Sequence, residues 1–271
     1  MVNTQSKGAH CDSAGADNPA MKTILITGSS RGIGAATALL CAQRGFAVAV
    51  NYASNAAAAQ AVTQAALACG VPALAVHADV SQEAEVLTMF ARIDAELPPL
   101  GGLVNNAGVV DVAARLEDMS FARWQRLFEV NVFGTFLCAR EAVKRMSTRR
   151  LHGFHGQGGS IVNLSSAAAR LGSPNVYIDY AASKGAIDTF TLGLAREVAA
   201  EGIRVNAVRP GVIDTDIHSL SGMADIALSH ASLLPMRRLG TAEEVAQAVL
   251  WLLSDEASYT HGALLDVAGG R

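Results

Sequence analysis

The sequence predicts an α/β fold: one doubly wound parallel sheet of about seven strands with helices on both faces. Seven short apolar runs alternate along the chain with longer segments of helical character. The runs are apolar at successive positions, as expected of strands covered on both sides, and the alternation is typical of strand–helix–strand crossovers. The predicted strands are Thr23–Thr27, Phe46–Val50, Ala73–His77, Leu103–Asn105, Ser160–Leu164, Arg204–Val208 and Leu264–Val267.

The composition fits this fold and argues against other classes of protein. Of the 271 residues 51% are apolar but only 5% are aromatic, so small aliphatic side chains dominate the predicted core. A net charge of −3 is too small to favour a nucleic acid or an anionic membrane as a partner. The cysteines lack the spacing of a disulfide framework and are expected to be buried or inert thiols. They are Cys11, Cys41, Cys69 and Cys138.

The chain is predicted to consist of one domain, residues 21–271, after a tail. Residues 1–20 are polar and contain no continuous apolar run, which predicts a disordered tail rather than a secretory signal. Residues 21–271 show no internal repeat and no linker between two cores. Because no apolar run is long enough to cross a bilayer, the expected location is cytoplasmic.

Two segments stand outside the predicted elements. Leu151–Gly159 is rich in Gly and His and is expected to be a surface excursion; His152 and His155 lack a neighbouring Cys, Asp or Glu cluster, so no metal site is predicted. Asp216–Pro235 follows a strand at the carboxyl edge of the sheet, where doubly wound folds bind ligands. Its mostly apolar composition favours an apolar or neutral ligand.

A glycine-rich turn, TGSSRGIG at residues 27–34, separates the first predicted strand from a helix near Ile33–Arg44. Glycines let the backbone approach a pyrophosphate, and the helix N-terminus supplies N–H donors and positive potential. The spacing is G-x3-G-x-G rather than G-x-G-x-x-G, but its position between strand and helix is that of a Rossmann-type dinucleotide site. The alternative is a tight turn without a ligand.

The segment after the second predicted strand bears on the choice of nucleotide. An NAD-selective site carries a carboxylate there for the ribose hydroxyls, and this charge repels a 2′-phosphate. Residues 51–54, beginning with Asn51, are NYAS and contain no carboxylate. Arg31 in the glycine turn can pair with a 2′-phosphate, unless it is only a solvated loop residue. The sequence therefore favours NADP(H), with NAD possible.

Asp79 and Val80 follow the third predicted strand. A carboxylate at this edge can accept a hydrogen bond from the adenine amino group. Its alternative role is to cap the helix that follows, and the two roles are compatible.

Tyr180 and Lys184, in the run YAASK, are candidates for proton transfer. Their i, i+4 spacing puts both on one helical face. Using a phenol near neutral pH requires a pKa shift of about 2–3 pH units, or ~3–4 kcal/mol. One positive charge about 4 Å away in an effective dielectric of ~20 supplies roughly 4 kcal/mol. A chance occurrence is the alternative, because Y-x-x-x-K alone is a weak motif.

Ser165 and Ser166 follow the predicted strand Ser160–Leu164. At the carboxyl edge of the sheet a serine hydroxyl can bond a substrate carbonyl oxygen beside the phenol. The alternative is that these serines cap the next segment, which is reasonable for at least one of them.

In chain order, five motifs resemble those of compact, single-domain short-chain dehydrogenases/reductases, such as 3-oxoacyl-carrier-protein reductases and glucose-dehydrogenase-like members. They are TGSSRGIG at 27–34, NNAG at 105–108, Asn131 of NVFG, Ser166 with YAASK at 180–184, and RPGVIDT at 209–215. The resemblance covers about Met21–Gly270, and the ordered set is far more specific than any single motif. One departure is that Ser166 and Tyr180 lie one residue further apart than is most common in the family.

The resemblance implies roles for the matching residues. Tyr180 would be the general acid in reduction and the base in oxidation, and Ser166 would orient the carbonyl. Lys184 would lower the Tyr180 pKa and bind the nicotinamide ribose. Asn131 would hold a helix irregularity and a water that links Lys184 to solvent.

Residues 105–108 would line the adenosine ribose and brace the central strand, while residues 210–215 would bracket the nicotinamide with Thr215 near its carboxamide. Together with the residue-based expectations above, the predicted cofactor-binding set is Gly28, Ser30, Arg31, Gly32, Ile33, Gly34, Asn51, Asp79, Val80, Asn105, Ala107, Gly108, Lys184, Pro210, Gly211, Ile213 and Thr215.

The resemblance further implies an NADP(H)-dependent oxidoreductase that interconverts a secondary alcohol and a ketone or aldehyde. The expected partner is a small carbonyl or alcohol compound, and the expected assembly is a homotetramer packed through the Tyr180 helix and the last helix and strand. The protein would then be a dinucleotide-binding catalytic domain over residues 21–271.

Two alternatives remain open from the sequence. A 3-oxoacyl-carrier-protein reductase belongs to the same class, and an acidic carrier would then dock on the cations Lys144, Arg145, Arg149 and Arg150. Cations at a helix C-terminus are also favoured electrostatically without any partner. From another class, a catalytically silent nucleotide-sensing protein would be expected to have lost its Tyr, Lys or Ser, and this chain retains all three.

Overall fold

A seven-stranded parallel sheet forms the centre of the molecule. The computed structural model describes residues 21–149, 153–215, 232 and 234–271, and in this part of the chain the strand order is β3-β2-β1-β4-β5-β6-β7. The strands are β1 (Thr23–Ile26), β2 (Ala47–Tyr52), β3 (Ala73–His77), β4 (Leu100–Asn105), β5 (Gly159–Leu164), β6 (Ile203–Pro210) and β7 (Leu264–Val267). The predicted fold class is confirmed.

Helices cover both faces of the sheet. Those on one face, α1, α2 and α8, contribute Ala38, Ala59 and Val249 to one apolar core. Those on the other face, α3, α5 and α7, contribute Phe90, Cys138 and Ala195 to a second. The helices are α1 (Gly32–Gln43), α2 (Ala56–Leu67), α3 (Glu83–Glu96), α4 (Phe121–Phe128), α5 (Gly134–Met146), α6 (Ala168–Leu171), α7 (Ile178–Val198) and α8 (Ala242–Leu253).

Between α4 and α5 the chain forms one π-helical segment, Glu129–Phe133. Short 3-10 turns lie at Leu116–Asp118, Ala199–Glu201 and Asp255–Ala257.

The topology brings the predicted motifs to one edge of the sheet. The chain order reverses at β1, which pairs with β2 on one side and with β4 on the other. Because all strands are parallel, the segments that follow β1, β4, β5 and β6 meet at the carboxyl edge. In doubly wound sheets the crevice at such a reversal is the ligand site.

The described cysteines are free thiols, but they are not all buried. Burial raises the pKa of Cys41 and of Cys138 to about 12, so both are unreactive at neutral pH. Cys69 is a free thiol too, but it is exposed rather than buried. Cys11 lies outside the described residues.

Across the described ranges no helix is long and apolar enough to span a bilayer. The same ranges contain no group of three or more His, Cys, Asp and Glu side chains that could hold a metal ion. The predicted tail, residues 1–20, lies outside these ranges. So do residues 151–152 of the glycine- and histidine-rich segment and residues 216–231 and 233 of the segment after β6.

Candidate active site

A cavity of about 970 Å³ runs along the carboxyl edge of the sheet, from the glycine turn to α7. Most of the residues predicted for the site line it. They are Gly28, Ser30, Arg31, Gly32, Ile33, Asn51, Asp79, Val80, Ala107, Gly108, Ser166, Tyr180, Lys184, Pro210, Gly211, Ile213 and Thr215.

The remaining three predicted residues, Gly34, Asn105 and Asn131, do not line this cavity. Each lies behind the wall of the cavity and contacts a segment that lines it. Their contacts support the segments that line the cavity, and the cofactor-binding role predicted for Gly34 and Asn105 stays a prediction.

Gly34 is required for close packing of α1 under the glycine turn. A Cβ atom at this position would lie 2.5 Å from Asn106 Nδ2, 2.7 Å from the Gly28 carbonyl oxygen and 2.8 Å from Ser29 Cα. Two of these three atoms belong to the backbone of the turn, which cannot rotate away. The third glycine of the motif therefore sets the distance between helix and turn.

The turn itself combines left-handed backbone with a close approach. Gly28 has φ +60° and its hypothetical Cβ would be 2.9 Å from Ala107 Cα, and Gly32 has φ +54°. Both features exclude larger residues, and they leave an open cradle at the N-terminus of α1. This geometry fits the approach of a phosphate to backbone N–H groups.

Asn51 lines the cavity, and its side-chain amide braces the glycine turn. Its Oδ1 accepts a hydrogen bond from the Gly28 amide (3.1 Å), and its Nδ2 donates to the Ala78 carbonyl oxygen (3.0 Å). The reason is that β2 extends two residues beyond the predicted end, to Tyr52, so Asn51 lies within the sheet. The side chains that continue this wall of the cavity are Tyr52, Ala53 and Ser54.

Asn105 braces the central strands. Its Nδ2 donates to Asn163 Oδ1 (2.9 Å), and Asn163 Nδ2 donates to Thr191 Oγ1 (2.9 Å). This buried chain of amides joins β4 and β5 to α7. Its neighbours Asn106, Ala107 and Gly108 line the cavity, and the contact of this segment with an adenosine ribose stays a prediction.

Asp79 lines the cavity and holds the turn before α3 rather than capping the helix, whose N-cap residue is Gln82 without a side-chain capping hydrogen bond. Its Oδ1 accepts hydrogen bonds from the Ser81 amide (3.0 Å) and hydroxyl (2.8 Å), in the turn that leads into α3. Arg31 is exposed at the N-cap of α1 and lines the same end of the cavity.

At the other end of the cavity, Ser166 and Tyr180 adjoin each other. Ser166 Oγ accepts a hydrogen bond from the Ala168 amide (3.1 Å). Ser165 instead donates its hydroxyl proton to the Lys184 carbonyl oxygen (3.1 Å) and is buried. The two serines left open by the sequence therefore have different surroundings, and only Ser166 is free to face a substrate beside Tyr180.

Burial raises the pKa of Tyr180 above its usual value, and the Ser166 hydroxyl partly lowers it. The sequence led us to expect a lowered pKa, because Lys184 lies one turn further along α7. The Lys184 ammonium lies 5.6 Å from the centroid of the Tyr180 ring, and its Nζ donates to the Leu164 carbonyl oxygen. Loss of water therefore outweighs the charge of Lys184 in the structure described.

Lys184 is buried, and its Nζ donates to the Leu164 carbonyl oxygen at 2.7 Å. Burial lowers its pKa to about 8, an effect that Asp188 opposes. A hypothetical Cβ on Gly108 would lie 3.6 Å from Lys184 Nζ, so the glycine leaves the cavity open to the ammonium.

Asn131 is at the centre of the π-helical segment and is 1% exposed. Its Oδ1 accepts from the Val109 amide (2.8 Å), and its Nδ2 donates to the Val109 carbonyl oxygen (3.0 Å) and to Ser183 Oγ (3.2 Å). The helix irregularity implied by the resemblance is present, and it turns the amide toward the segment after β4 and toward α7.

The segment after β6 closes the cavity from the side of β7. Gly211 is required because a Cβ would be 2.8 Å from Ala268 Cα. Ile213 is buried, and Thr215 Cγ2 would lie 3.5 Å from a Cβ on Gly32. Thr215 therefore adjoins the glycine turn as well as the cavity.

Further cavity residues belong to none of the predicted motifs. Tyr177, one turn before Tyr180, has a buried hydroxyl without a hydrogen-bond partner among the described residues. Leu171 and Val176 lie near it in the chain, before α7, whereas Arg126 and Arg271 come from distant segments. Local sequence carries no signal for Arg126 and Arg271, because each reaches the cavity only through the tertiary fold.

Residues 28–271 match the sequence model of a family described as enoyl-(acyl carrier protein) reductase. An uncharacterized oxidoreductase of Escherichia coli (strain K12) is 53% identical over 251 residues, which cover 93% of this chain and 100% of that protein. A cis-4-hydroxycyclohexanecarboxylate dehydrogenase of Sinomonas cyclohexanicum is 39% identical over 252 residues, covering 93% and 96% respectively.

Among solved structures, a 3-oxoacyl-[acyl-carrier protein] reductase with bound NAD from Brucella melitensis aligns with a TM-score of 0.81 and 35% sequence identity. The alignment covers 92% of this chain and 90% of that one. The chain therefore belongs to the short-chain dehydrogenase/reductase family, as the ordered motifs predicted. It is an NAD(P)-dependent oxidoreductase of that family, acting on CH–OH groups.

The Gly34→Ala substitution is expected to lower the free energy of unfolding by about 1–3 kcal/mol, because the added methyl group meets fixed backbone. It should also weaken nucleotide binding at least about tenfold, which corresponds to ~1.4 kcal/mol. Chemical denaturation and calorimetric titration with NADPH measure the two effects.

The control is Ala36→Gly, in the same helix, which should cost about 1 kcal/mol of stability from helix propensity alone and leave nucleotide affinity unchanged. A stabilised Gly34→Ala protein, the usual result of replacing glycine within a helix, would contradict the steric account.

Proposed function

We propose that the protein is an NADP(H)-dependent oxidoreductase that interconverts a secondary alcohol and a ketone or aldehyde, with Tyr180 as the general acid and base. The observation that carries this proposal is the position of Ser166 and Tyr180 on one cavity whose other end is the glycine turn. A single elongated cleft of this kind suits a dinucleotide with a small substrate at one end.

The described residues fit a nicotinamide dinucleotide. Gly28 and Gly32 form a cradle at the N-terminus of α1, and Gly108 leaves the Lys184 ammonium open to the cavity. Pyrophosphate oxygens would accept from backbone N–H groups at the turn. Lys184 would bond the nicotinamide ribose, and Pro210 and Gly211 would lie beside the ring.

In reduction, Tyr180 donates its proton to the carbonyl oxygen while Ser166 bonds that oxygen and fixes its position. In oxidation, the phenolate accepts the alcohol proton. When bound, the nucleotide supplies the hydride to the carbonyl carbon in reduction and accepts it from the alcohol carbon in oxidation. The positive charge of Lys184 stabilises the phenolate, and Asn131 keeps α7 and the segment after β4 in register.

Preference for NADP(H) is supported at the adenosine end of the cavity. The segment after β2, where an NAD-selective site carries its carboxylate, lines this end with Tyr52, Ala53 and Ser54, and Arg31 is exposed and lines the same cavity. An arginine can hold a 2′-phosphate by charge-assisted hydrogen bonds. The solved relative from Brucella melitensis contains NAD, so NAD remains the second nucleotide to test.

The substrate end favours a small compound of modest polarity. Ala167, Leu171 and Val176 supply apolar surface to the same cavity as Ser166, and Ser173, Tyr177 and Arg126 are among its polar lining residues. Most of segment 216–235, whose composition suggested the same preference, lies outside the described residues.

The alternative is a 3-oxoacyl-carrier-protein reductase, favoured by the likeness to the solved reductase of Brucella melitensis. The basic docking surface suggested by the sequence does not support it. Arg145 is paired with Asp94 and Glu141, Lys144 with Glu141, and Arg149 with Glu201. These cations are already neutralised within the chain, and Arg150 lies outside the described residues.

A catalytically silent nucleotide sensor is disfavoured because Ser166, Tyr180 and Lys184 occur together at one end of the cavity. A sensor would have no need to keep a phenol and a hydroxyl side by side. We also retain a cytoplasmic location, supported by the free thiols Cys41, Cys69 and Cys138.

We further propose a homotetramer that uses two faces of the chain. Leu192 on α7 is 37% exposed and Trp251 on α8 is 38% exposed, and Tyr259, after α8, is fully exposed. Apolar side chains of this size on two separate surfaces favour association through both. Two isologous interfaces at different faces would generate a tetramer.

The Tyr180→Phe protein should lose at least about 100-fold in kcat with a panel of secondary alcohols and ketones, because general acid–base catalysis contributes 10²–10⁴-fold. Its affinity for NADPH, measured by calorimetric titration, should stay within about twofold of the parent. Tyr177→Phe is the matched control and should retain most of kcat.

A Tyr180→Phe protein that turns over at the parent rate would contradict the assigned role. Tight NADPH binding with no turnover by the parent across the panel would favour the sensor. Turnover only with 3-oxoacyl-carrier thioesters would favour the carrier-protein reductase.

The Arg31→Ala protein should bind NADPH about 10- to 100-fold more weakly, since a charge-assisted hydrogen bond contributes about 1.5–3 kcal/mol. NADH affinity should change little, because NADH lacks the 2′-phosphate. Titration with both nucleotides measures the difference, and Arg44→Ala, at the opposite end of α1, is the control. An equal loss for both nucleotides would instead assign Arg31 to the pyrophosphate.

Sedimentation equilibrium of the parent should give the mass of four chains. Leu192→Glu and Trp251→Glu should each reduce the assembly to dimers, because each buries a charge at one of the two proposed interfaces. Leu87→Glu, an equally exposed leucine on α3, should leave the mass unchanged. A monomeric parent, or tetramers of both variants, would contradict the assembly.

A further inference from the structure

Asp188 continues the helical face that carries Tyr180 and Lys184. The three residues follow at i, i+4 and i+8 of α7, so their side chains lie in one row. The Asp188 side chain is 11% exposed. A carboxylate this deeply buried is costly unless it is paired, so its presence in the row needs a partner and a reason.

The partner is Arg209, which precedes Pro210 and Gly211 at the end of β6. Its Nε and Nη2 both donate to Asp188 Oδ2, at 3.0 and 2.8 Å. Asp188 Oδ1 has no hydrogen-bond partner within the described part of the chain. The pair therefore binds one carboxylate oxygen and leaves the other, which shares the delocalised negative charge, without a donor.

The clamp extends away from the cavity to the surface. Arg209 Nη1 lies 3.8 Å from Asp266 on β7, and Asp266 lies 3.3 Å from Arg170 on α6. The Asp266 side chain is 40% exposed, so its charge is screened by solvent, unlike that of Asp188. Asp188 is thus the buried end of a line of alternating charges that joins α7, β6, β7 and α6.

Lys184 is a buried cation, so it is stabilised by negative charge nearby. Its ammonium is buried and donates to the neutral carbonyl oxygen of Leu164. Leu164 pairs with Val208 in the parallel register, so this carbonyl lies beside the strand that carries Arg209. Burial lowers the Lys184 pKa to about 8, and Asp188 is the carboxylate that opposes this effect.

We infer that Asp188, clamped by Arg209, is a positioning residue that holds the Lys184 ammonium in its charged form beside Tyr180. The inference deepens the proposed function and rests on the role given there to Lys184. Arg209 limits the negative potential that reaches Lys184, so the two residues act on the ammonium in opposite directions.

The charged and titratable groups around α7 leave Asp188 and Arg209 as the pair that matters for Lys184. At the start of α7, Asp179 is neutralised by Arg123 of α4, with Nε–Oδ2 at 2.7 Å. Among the described residues, the other charged and titratable groups on α7 and the elements packed against it are Tyr177 at its N-cap, Tyr180, Arg196 and Glu197 on α7, Arg126 on α4, Glu129 in the π-helical segment, Arg170 on α6, Arg204 on β6, and Glu201 paired with Arg149 after α7.

The size of the effect follows from the helix geometry. Side chains four residues apart are about 6 Å apart, and with an effective dielectric of ~20 one buried charge at that distance shifts a pKa by about one to two pH units. Arg209 lies beyond Asp188, so its removal should act in the other direction and by a smaller amount.

Nuclear magnetic resonance of 13Cε-labelled lysine tests the inference in the free protein, without turnover. The chain has only four lysines, Lys7, Lys22, Lys144 and Lys184, so the titration of each can be followed separately. A Lys184→Met sample assigns the resonance. The titration midpoint of Lys184 is then compared among the parent, Asp188→Asn and Arg209→Gln proteins.

Asp188→Asn should lower the Lys184 midpoint by about one pH unit or more, and Arg209→Gln should raise it by about half a unit. The Lys22 and Lys144 midpoints should not move. Asp266→Asn is the matched control, because it removes another carboxylate near Arg209 that is exposed, and it should leave the Lys184 midpoint unchanged.

An Asp188→Asn midpoint equal to that of the parent, or shifts of the same sign in Asp188→Asn and Arg209→Gln, would overturn the inference. A purely structural clamp would lower stability in both variants without moving the Lys184 midpoint in opposite directions. If Asp188→Asn does not fold, the upward shift in Arg209→Gln decides alone, and its absence would overturn the inference.

The pH dependence of alcohol oxidation gives a second readout. The alkaline limb of kcat should move to lower pH in Asp188→Asn and to higher pH in Arg209→Gln, because oxidation needs the ammonium while Tyr180 is ionised. Opposite shifts of the Lys184 midpoint with full turnover by Tyr180→Phe would reject the proposed function and leave this inference standing. An unchanged Lys184 midpoint in both variants, together with loss of turnover in Tyr180→Phe, would reject this inference and leave the proposed function standing.

Discussion

The buried hydrogen bond from the Lys184 ammonium to the Leu164 carbonyl oxygen is the interaction on which the rest of the site depends. It joins α7 to the end of β5, and Ser165 Oγ reinforces the same joint by donating to the Lys184 carbonyl oxygen. Ser166 and Tyr180 lie on the two sides of this joint. Their separation is therefore set by a charged group that has almost no water around it.

Much of the remaining motif is scaffold rather than ligand surface. Asn51 holds the glycine turn, Asn131 joins the segment after β4 to α7, and Asn105 begins a chain of amides across β4, β5 and α7. Buried amides can satisfy several backbone groups at once, and they fix loops that glycine has made permissive. These amides form hydrogen bonds with the polar groups behind the cavity wall, and the cavity itself stays open.

The fold was predictable because strand and helix signals are local. The apolar runs from Thr23–Thr27 to Leu264–Val267 needed only their own residues, and the glycine turn identified the edge that binds ligands. The orientation of individual side chains was harder to predict. Because β2 is two residues longer than predicted, Asn51 lies within the sheet rather than after it. The Asp188–Arg209 pair spans two elements, and the raised Tyr180 pKa depends on burial, which a spacing of four residues does not reveal.

The charges of the site favour one protonation state at neutral pH. Burial keeps the Tyr180 phenol protonated, and a Lys184 pKa of about 8 keeps most of the ammonium charged. This combination is ready to donate a proton to a carbonyl oxygen. Oxidation needs the Tyr180 phenolate and the Lys184 ammonium together. Raising the pH to ionise the phenol also deprotonates the ammonium. A buried carboxylate that sustains the ammonium therefore widens the range in which both directions of the reaction are possible.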